Sequence, residues 1–329
     1  MVKGEFDYQV SLQQPLSSCP NLRVFVDTIP DPQIFVYDFL AGDLLRFAQR
    51  PLSHETRRSI LKNALTGLAE LHDRGIMHTD IKPNNILIDY NEEPGKDLAI
   101  SQVRISDLED SVLLGPGEYI VGCLCGHEFW RSPESWARAS QDTASDVYSF
   151  AVVAIYVVLD HMIFHLSAEE LQGDMAWWHI LRRHVSYFGD ADGIQGLLEH
   201  LGPENPFFDR VIALVEDFDA EKRRRPFALW PHVDADFRDL ICKMTSLDPK
   251  KRITAREALQ HPWFRAGEHT SALPSTQQLP SSKIVPPAPR PIKAPSTEGF
   301  LKDFTLLAEA AKRAEIAVLM RDLESVGLS

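Results

Sequence analysis

The chain has 329 residues, 44% of them hydrophobic and 25% charged, which is enough apolar material for a large buried core. A net charge of −13 excludes a general nucleic-acid-binding or anionic-membrane surface, so neither nucleic acid nor membrane is expected as a partner. Four cysteines, Cys19, Cys123, Cys125 and Cys242, match neither a disulfide framework nor a zinc site, so reduced thiols are expected. No charged-then-apolar leader follows Met1, which with the thiols points to a cytoplasmic or nuclear protein.

In chain order, Phe6 to Leu16 reads as the end of a helix. Leu22 to Val26 and Gln33 to Tyr37 read as two strands, joined by a turn at Pro30 to Pro32. Glu55 to Arg74 is predicted helical, with Leu61, Leu65 and Leu68 on one face, Ser53 as N-cap and Gly75 as the stop. Short strands are expected at Ile86 to Ile88 and Val103 to Ile105, around a turn containing Asn91 and Gly95. Ser145 to Trp263 reads as mostly helix. Within it, the apolar stretch Val147 to Leu159 is too short to cross a bilayer and suits a buried helix. Lys222 to Arg225 reads as a solvated turn. Seven prolines fall between Arg265 and Gly299, a composition that predicts a linker. Phe300 to Leu323 is then helical again, with a stripe of Phe304, Leu307, Ala311, Ala314 and Val318 that would dock back or bind a partner.

One cluster carries chemistry. His78-Thr79-Asp80-Ile81-Lys82-Pro83-Asn84-Asn85 is followed twenty-two residues after Asn85 by Asp107. Asp80 could accept a hydroxyl proton, Lys82 could sit against a moving phosphate, and Asn85 and Asp107 could hold magnesium. These residues resemble the catalytic loop of eukaryotic protein kinases, His-Arg-Asp-x-Lys-x-x-Asn, with Thr79 in place of the arginine. The lysine two residues after the aspartate is the serine/threonine version. Four further elements follow in the family's order. Asp107-Leu108-Glu109 stands for Asp-Phe-Gly, and Ser132-Pro133-Glu134 for Ala-Pro-Glu. Ser145 to Phe150 resembles the start of the central helix of the large lobe. Asp248 to Arg252 with His261-Pro262-Trp263-Phe264 resembles the end of the domain.

The resemblance implies an α+β, protein-kinase-like fold: a mostly helical large lobe with an incomplete small β lobe. It implies a remnant small lobe and hinge over residues 1–44, a large lobe over 45–265, a Pro/Ser-rich linker over 266–299 and a C-terminal amphipathic helix over 300–329. It implies ATP and Mg2+ as cofactors and transfer of phosphate to Ser/Thr hydroxyls of a protein substrate. Asp80 and Lys82 would be catalytic, and Asn85 and Asp107 would be metal and nucleotide ligands. Tyr37 to Leu40 resembles the adenine-binding hinge, so Asp38 and Leu40 would meet the base, with Asp43 at the ribose and Leu87 beneath the base. His78 would be structural, Asp146 would hold the catalytic loop, and Glu134 would pair with Arg252.

The departures are also legible. No Gly-x-Gly-x-x-Gly and no strand resembling Val-Ala-Ile-Lys precede Tyr37, and Lys3 is the only lysine before it. His127 stands where serine/threonine kinases place a threonine. A truncated small lobe with an open edge for a partner is therefore expected. The alternatives are a non-catalytic pseudokinase scaffold and a small-molecule kinase. Ser132-Pro133-Glu134 with Arg252 speaks against the latter.

Overall fold

A leucine-faced helix decides where the body of the molecule sits. In the computed structural model, which describes residues 4–92, 98–167, 169–170 and 175–265, α3 spans His54–His72. Ser53 caps it by accepting from the Thr56 amide, and Gly75 ends the following turn at φ +73°, a conformation that costs glycine little. Leu61, Leu65 and Leu68 are fully buried, each contributing about 1.5–3 kcal/mol of transfer free energy. They pack towards α5, Thr143–Leu159, in which every residue from Ser145 to Val157 is buried. An all-round apolar helix of this kind is the centre of a core, not an amphipathic surface element.

Shorter helices surround this pair: α6 (Ala176–Phe188), α7 (Ala191–Leu201), α8 (Phe207–Glu216), α9 (Ala235–Met244), α10 (Ala255–Leu259) and α11 (Pro262–Arg265). Lys222 to Arg225 lies outside regular structure, with Lys222 paired to Asp217. No helix among the described residues is long and apolar enough to cross a membrane. The chain divides after Ala266, and the expected linker and C-terminal helix lie outside the described residues.

The strands sit at one end of this body. β3 (Gly42–Asp43), β5 (Ile86–Asn91) and β6 (Ala99–Ile105) form an antiparallel sheet with β5 in the centre. β5 and β6 are longer than the sequence suggests, and Asn91 lies within β5 while Gly95 is outside the described residues. β4 (Ile76–Met77) pairs with β7 (Val112–Leu113). Together these ladders bring the chain on either side of Asp80 against the chain around Asp107.

Before Leu40 stand α1 (Glu5–Gln13) and an antiparallel hairpin of β1 (Phe25–Ile29) and β2 (Ile34–Tyr37). Phe6 stacks on Phe35 at 4.7 Å, and Phe25 lies 5.3 Å from Phe35, so one hairpin face packs on α1. Val26, Ile29, Ile34 and Val36 are exposed. The first strand begins three residues later than its apolar run suggests. Leu22 is buried and bridges Ile105 in parallel, with the Ile105 amide donating to Asn21 and the Arg23 amide to Ile105. Residues 21–23 are thereby tied to the edge of β6, and the hairpin starts beyond them.

The same junction yields a prediction with an unusual sign. Alanine normally favours a helix over glycine by about 1 kcal/mol. A Cβ on Gly67 in α3 would lie 2.4 Å from the Asn21 carbonyl oxygen. Gly67→Ala is therefore expected to destabilise the protein by about 1–3 kcal/mol, because backbone must move to admit it. A raised melting temperature would show that the α3–Asn21 contact is looser than this.

Candidate active site

The loop after β4 is held from below by one carboxylate. Asp146, in the first turn of α5, is buried and accepts from the His78 amide at 2.7 Å and the Thr79 amide at 3.0 Å. His72, at the end of α3, meets the same carboxylate at 3.1 Å. Charge-assisted bonds of this kind are stronger than neutral ones, and here they hold a backbone that would otherwise relax. Thr79 has φ +71°, costly for a β-branched residue.

His78 is fully buried and works as a strut. Its Nε2–H donates to the Ser106 carbonyl at 2.9 Å, while Nδ1 accepts from the Asp80 amide at 3.2 Å, an arrangement that selects one tautomer. From the far side, Ser106 returns two bonds to the Asn85 carbonyl, at 2.8 Å from its amide and 3.1 Å from its hydroxyl. The loop and the end of β6 are thus joined at both ends.

Within that frame three side chains converge. Asp80 Oδ2 lies 3.0 Å from Lys82 Nζ and 3.3 Å from Asn85 Nδ2, and Asn85 Nδ2 also donates to the Asp80 carbonyl at 3.0 Å. All three residues are buried. Asp107 follows Ser106 directly, is exposed, and adopts a left-handed backbone at φ +63°. Asp107 is thus one residue along the chain from the two Ser106 bonds to the Asn85 carbonyl.

The residues expected around a base form a second group. Asp43 caps α2 (Leu44–Phe47) by accepting from the Arg46 amide at 3.1 Å, and pairs across the sheet with half-buried Leu87. Leu87 faces Arg104 on its other side, and Arg104 pairs with the exposed Asp38 at 3.2 Å. Leu40 is buried. The Asp38 carbonyl accepts from Arg23 Nε at 3.0 Å, a bond that nothing in the local sequence signals.

Beneath the segment that follows Asp107, Glu134 and Arg252 form a bidentate ion pair at 2.5 and 2.7 Å, with side chains at most 1% exposed. Glu134 also accepts from the Ser145 hydroxyl at 2.5 Å. Burial alone would raise its carboxyl, but Arg252 overrides this and holds it at about 2. Arg252 lies over the Tyr148 ring at 4.9 Å, and the Tyr148 hydroxyl meets His184 Nδ1 at 2.6 Å. Burial pushes His184 down to about 3, so this histidine is neutral.

Sequence reading missed Ser106, His72 and Gln9. Ser106 and His72 act through bonds to partners distant in the chain. Gln9 is a buried amide on α1 that donates to the Glu109 carbonyl at 2.7 Å, whereas the acidic residues Glu5 and Asp7 of that helix lie in its first turn. Spacing along α1 offers no signal for this.

Residues 10–264 match the model of the protein kinase domain. Among curated relatives, the chain is 29% identical over 270 residues to "Mitogen-activated protein kinase hog1" of Blastobotrys adeninivorans, covering 79% of this chain and 58% of the relative. It is 30% identical over 263 residues to the "Phosphorylase b kinase gamma catalytic chain, liver/testis isoform" of Bos taurus, covering 77% and 52%. It is 26% identical over 271 residues to "Calcium-dependent protein kinase 21" of Arabidopsis thaliana, covering 81% and 42%. The chain spans about half the length of these relatives. With the family model matched over most of its length and the cluster around Asp80 assembled in the fold, the chain belongs to the protein kinase family.

Proposed function

We propose that the chain transfers the γ-phosphoryl group of ATP to Ser/Thr hydroxyls of protein substrates. The observation that supports this reading is the buried convergence of Asp80, Lys82 and Asn85, joined by hydrogen bonds to Ser106, the residue before Asp107. Asp80 orients the substrate hydroxyl. As the hydroxyl oxygen bonds to the γ-phosphorus and the bond to the β-phosphate oxygen breaks, the hydroxyl proton passes to the Asp80 carboxylate. Lys82 Nζ, held by Asp80, stabilises charge on the transferred group.

The donor set suits a hard cation. Asn85 turns its amide nitrogen to Asp80 and so offers its oxygen, and Asp107 offers an exposed carboxylate. Asn85 and Asp107 would hold Mg2+, which supplies neutralisation of the phosphate charge when bound. Asp43 at the end of β3, Leu87 beneath, and Asp38 and Leu40 along the connecting segment would take the nucleoside. Asp146, His78, Glu134 and Arg252 hold the loop and the segment in shape. This reading assigns residues 1–44 to a partial small lobe and 45–265 to the large lobe, with linker and helix beyond, in a cytoplasmic or nuclear protein. The exposed row Val26, Ile29, Ile34 and Val36, with Phe39 87% exposed, supports a partner at the small-lobe edge.

A second reading, a non-catalytic scaffold, is favoured by one observation. The Asp38 carbonyl and carboxylate are both engaged internally, by Arg23 and Arg104, where a hinge would offer acceptors to adenine. Thermal unfolding with Mg-ATP separates the two. Phosphoryl transfer requires a melting temperature that rises with Mg-ATP and an Asp107→Asn variant that loses the rise. An unshifted wild type supports the scaffold.

A further inference from the structure

We propose that Gln9 and Gln13 form a buried, directional amide ladder that clamps the segment after Asp107 against α1 and so positions Asp107. The positioning part rests on the phosphoryl-transfer reading above.

Gln9 and Gln13 lie one turn apart on α1 and are 3% and 0% exposed. Burying two amides is unfavourable unless their polar atoms are satisfied. Here they bond to each other and to three neighbours, the Phe25 amide, the Tyr37 hydroxyl and the Glu109 carbonyl. Gln13 Oε1 accepts from the Phe25 amide and from the Tyr37 hydroxyl, each at 3.4 Å, and the same hydroxyl lies 3.3 Å from Gln13 Nε2. Gln13 Nε2 donates to Gln9 Oε1 at 3.1 Å, and Gln9 Nε2 donates to the Glu109 carbonyl at 2.7 Å. The ladder therefore runs from the hairpin, where β2 ends, to the segment that carries Asp107.

Two further contacts make this a clamp. Tyr8 on the same helix accepts from the Leu113 amide at 3.3 Å, and its hydroxyl lies 3.4 Å from the Ser111 carbonyl. From the opposite side the Thr79 hydroxyl donates to the Asp110 carbonyl at 3.1 Å. Between them Leu108–Asp110 is a single 3-10 turn, and Asp107 precedes it in the left-handed region. A non-glycine residue there stays only when its surroundings over-determine it. The ladder is built from neutral groups, so its hold does not depend on an ion pair and is insensitive to salt.

The test uses the 329-residue chain with magnesium chloride and ATP as probes. Q9E keeps the size of the side chain but removes the donor and sets an oxygen against the Glu109 carbonyl. Y37F removes only one hydroxyl and serves where Q9E fails to fold. Amide hydrogen exchange over Leu108–Ser111 is expected to quicken about tenfold or more in Q9E and by less in Y37F, with α3 and α5 unchanged. The magnesium concentration that gives half of the ATP-dependent thermal shift is expected to rise about tenfold in Q9E. Unchanged exchange over Leu108–Ser111 in both variants overturns the clamp. Quickened exchange with an unchanged magnesium half-point overturns the positioning of Asp107. A wild type without any ATP response overturns the phosphoryl-transfer reading and the positioning with it, and the exchange result alone then decides the clamp.

Discussion

Arg252→Ala is expected to destabilise the protein by about 3–5 kcal/mol, the cost of leaving one buried charge without its partner. The guanidinium makes two bonds to Glu134 and two more to the carbonyls of Ala144 and Ser246, at 3.1 and 2.7 Å. Truncation strips all four and leaves the buried Glu134 carboxylate with the Ser145 hydroxyl and its own backbone amide but no counter-charge. Urea unfolding of the variant reads the loss directly, and a change below about 1 kcal/mol, the level of an exposed pair, would mean that the pair is solvated. The double change Glu134→Leu with Arg252→Met should recover much of the loss, because apolar residues of similar volume leave no charge behind.

The same pair sets an acid limit. The Glu134 carboxyl sits at about 2 in the folded protein against an ordinary 4.5. A depressed value means that the contribution is complete above about pH 4.5 and disappears as the pH falls towards 2. The gap corresponds to about 3 kcal/mol, in line with the cost of breaking the pair. Arg252→Ala should therefore flatten the acid side of the stability profile between pH 4.5 and 2.

Asp80→Asn is expected to lower phosphoryl transfer by about 10²–10⁴-fold, the usual contribution of a positioned general base. The amide keeps the shape of the carboxylate and still offers an oxygen to Lys82, 3.0 Å away in the native protein. Its stability cost should therefore stay within about 1–3 kcal/mol. A melting temperature near that of the wild type, beside a collapsed rate, assigns the loss to chemistry. An unchanged rate would remove Asp80 from the mechanism.

Much of this was legible in the chain, for different physical reasons. The helix α3 announces itself because Leu61, Leu65 and Leu68 repeat at helical spacing and Ser53 can cap it. The Asp80 cluster is legible because its offsets lie within one loop, where spacing fixes geometry. The Glu134–Arg252 pair joins residues 118 apart and was reachable only through resemblance to a family. The true start of β1 was hidden because Leu22 is claimed by Ile105, a tertiary pairing that overrides local strand preference. Gln9 and the Arg23 bond to the Asp38 carbonyl were hidden for the same reason. Each is a contact between segments that nothing local brings together.

Transfer of labelled γ-phosphate from Mg-ATP to an added Ser/Thr-containing protein by the 329-residue chain tests the central claim most directly. The account requires magnesium-dependent phosphoserine or phosphothreonine on the acceptor, lost in Asp80→Asn. A folded wild-type chain that transfers no phosphate at any magnesium concentration would contradict it.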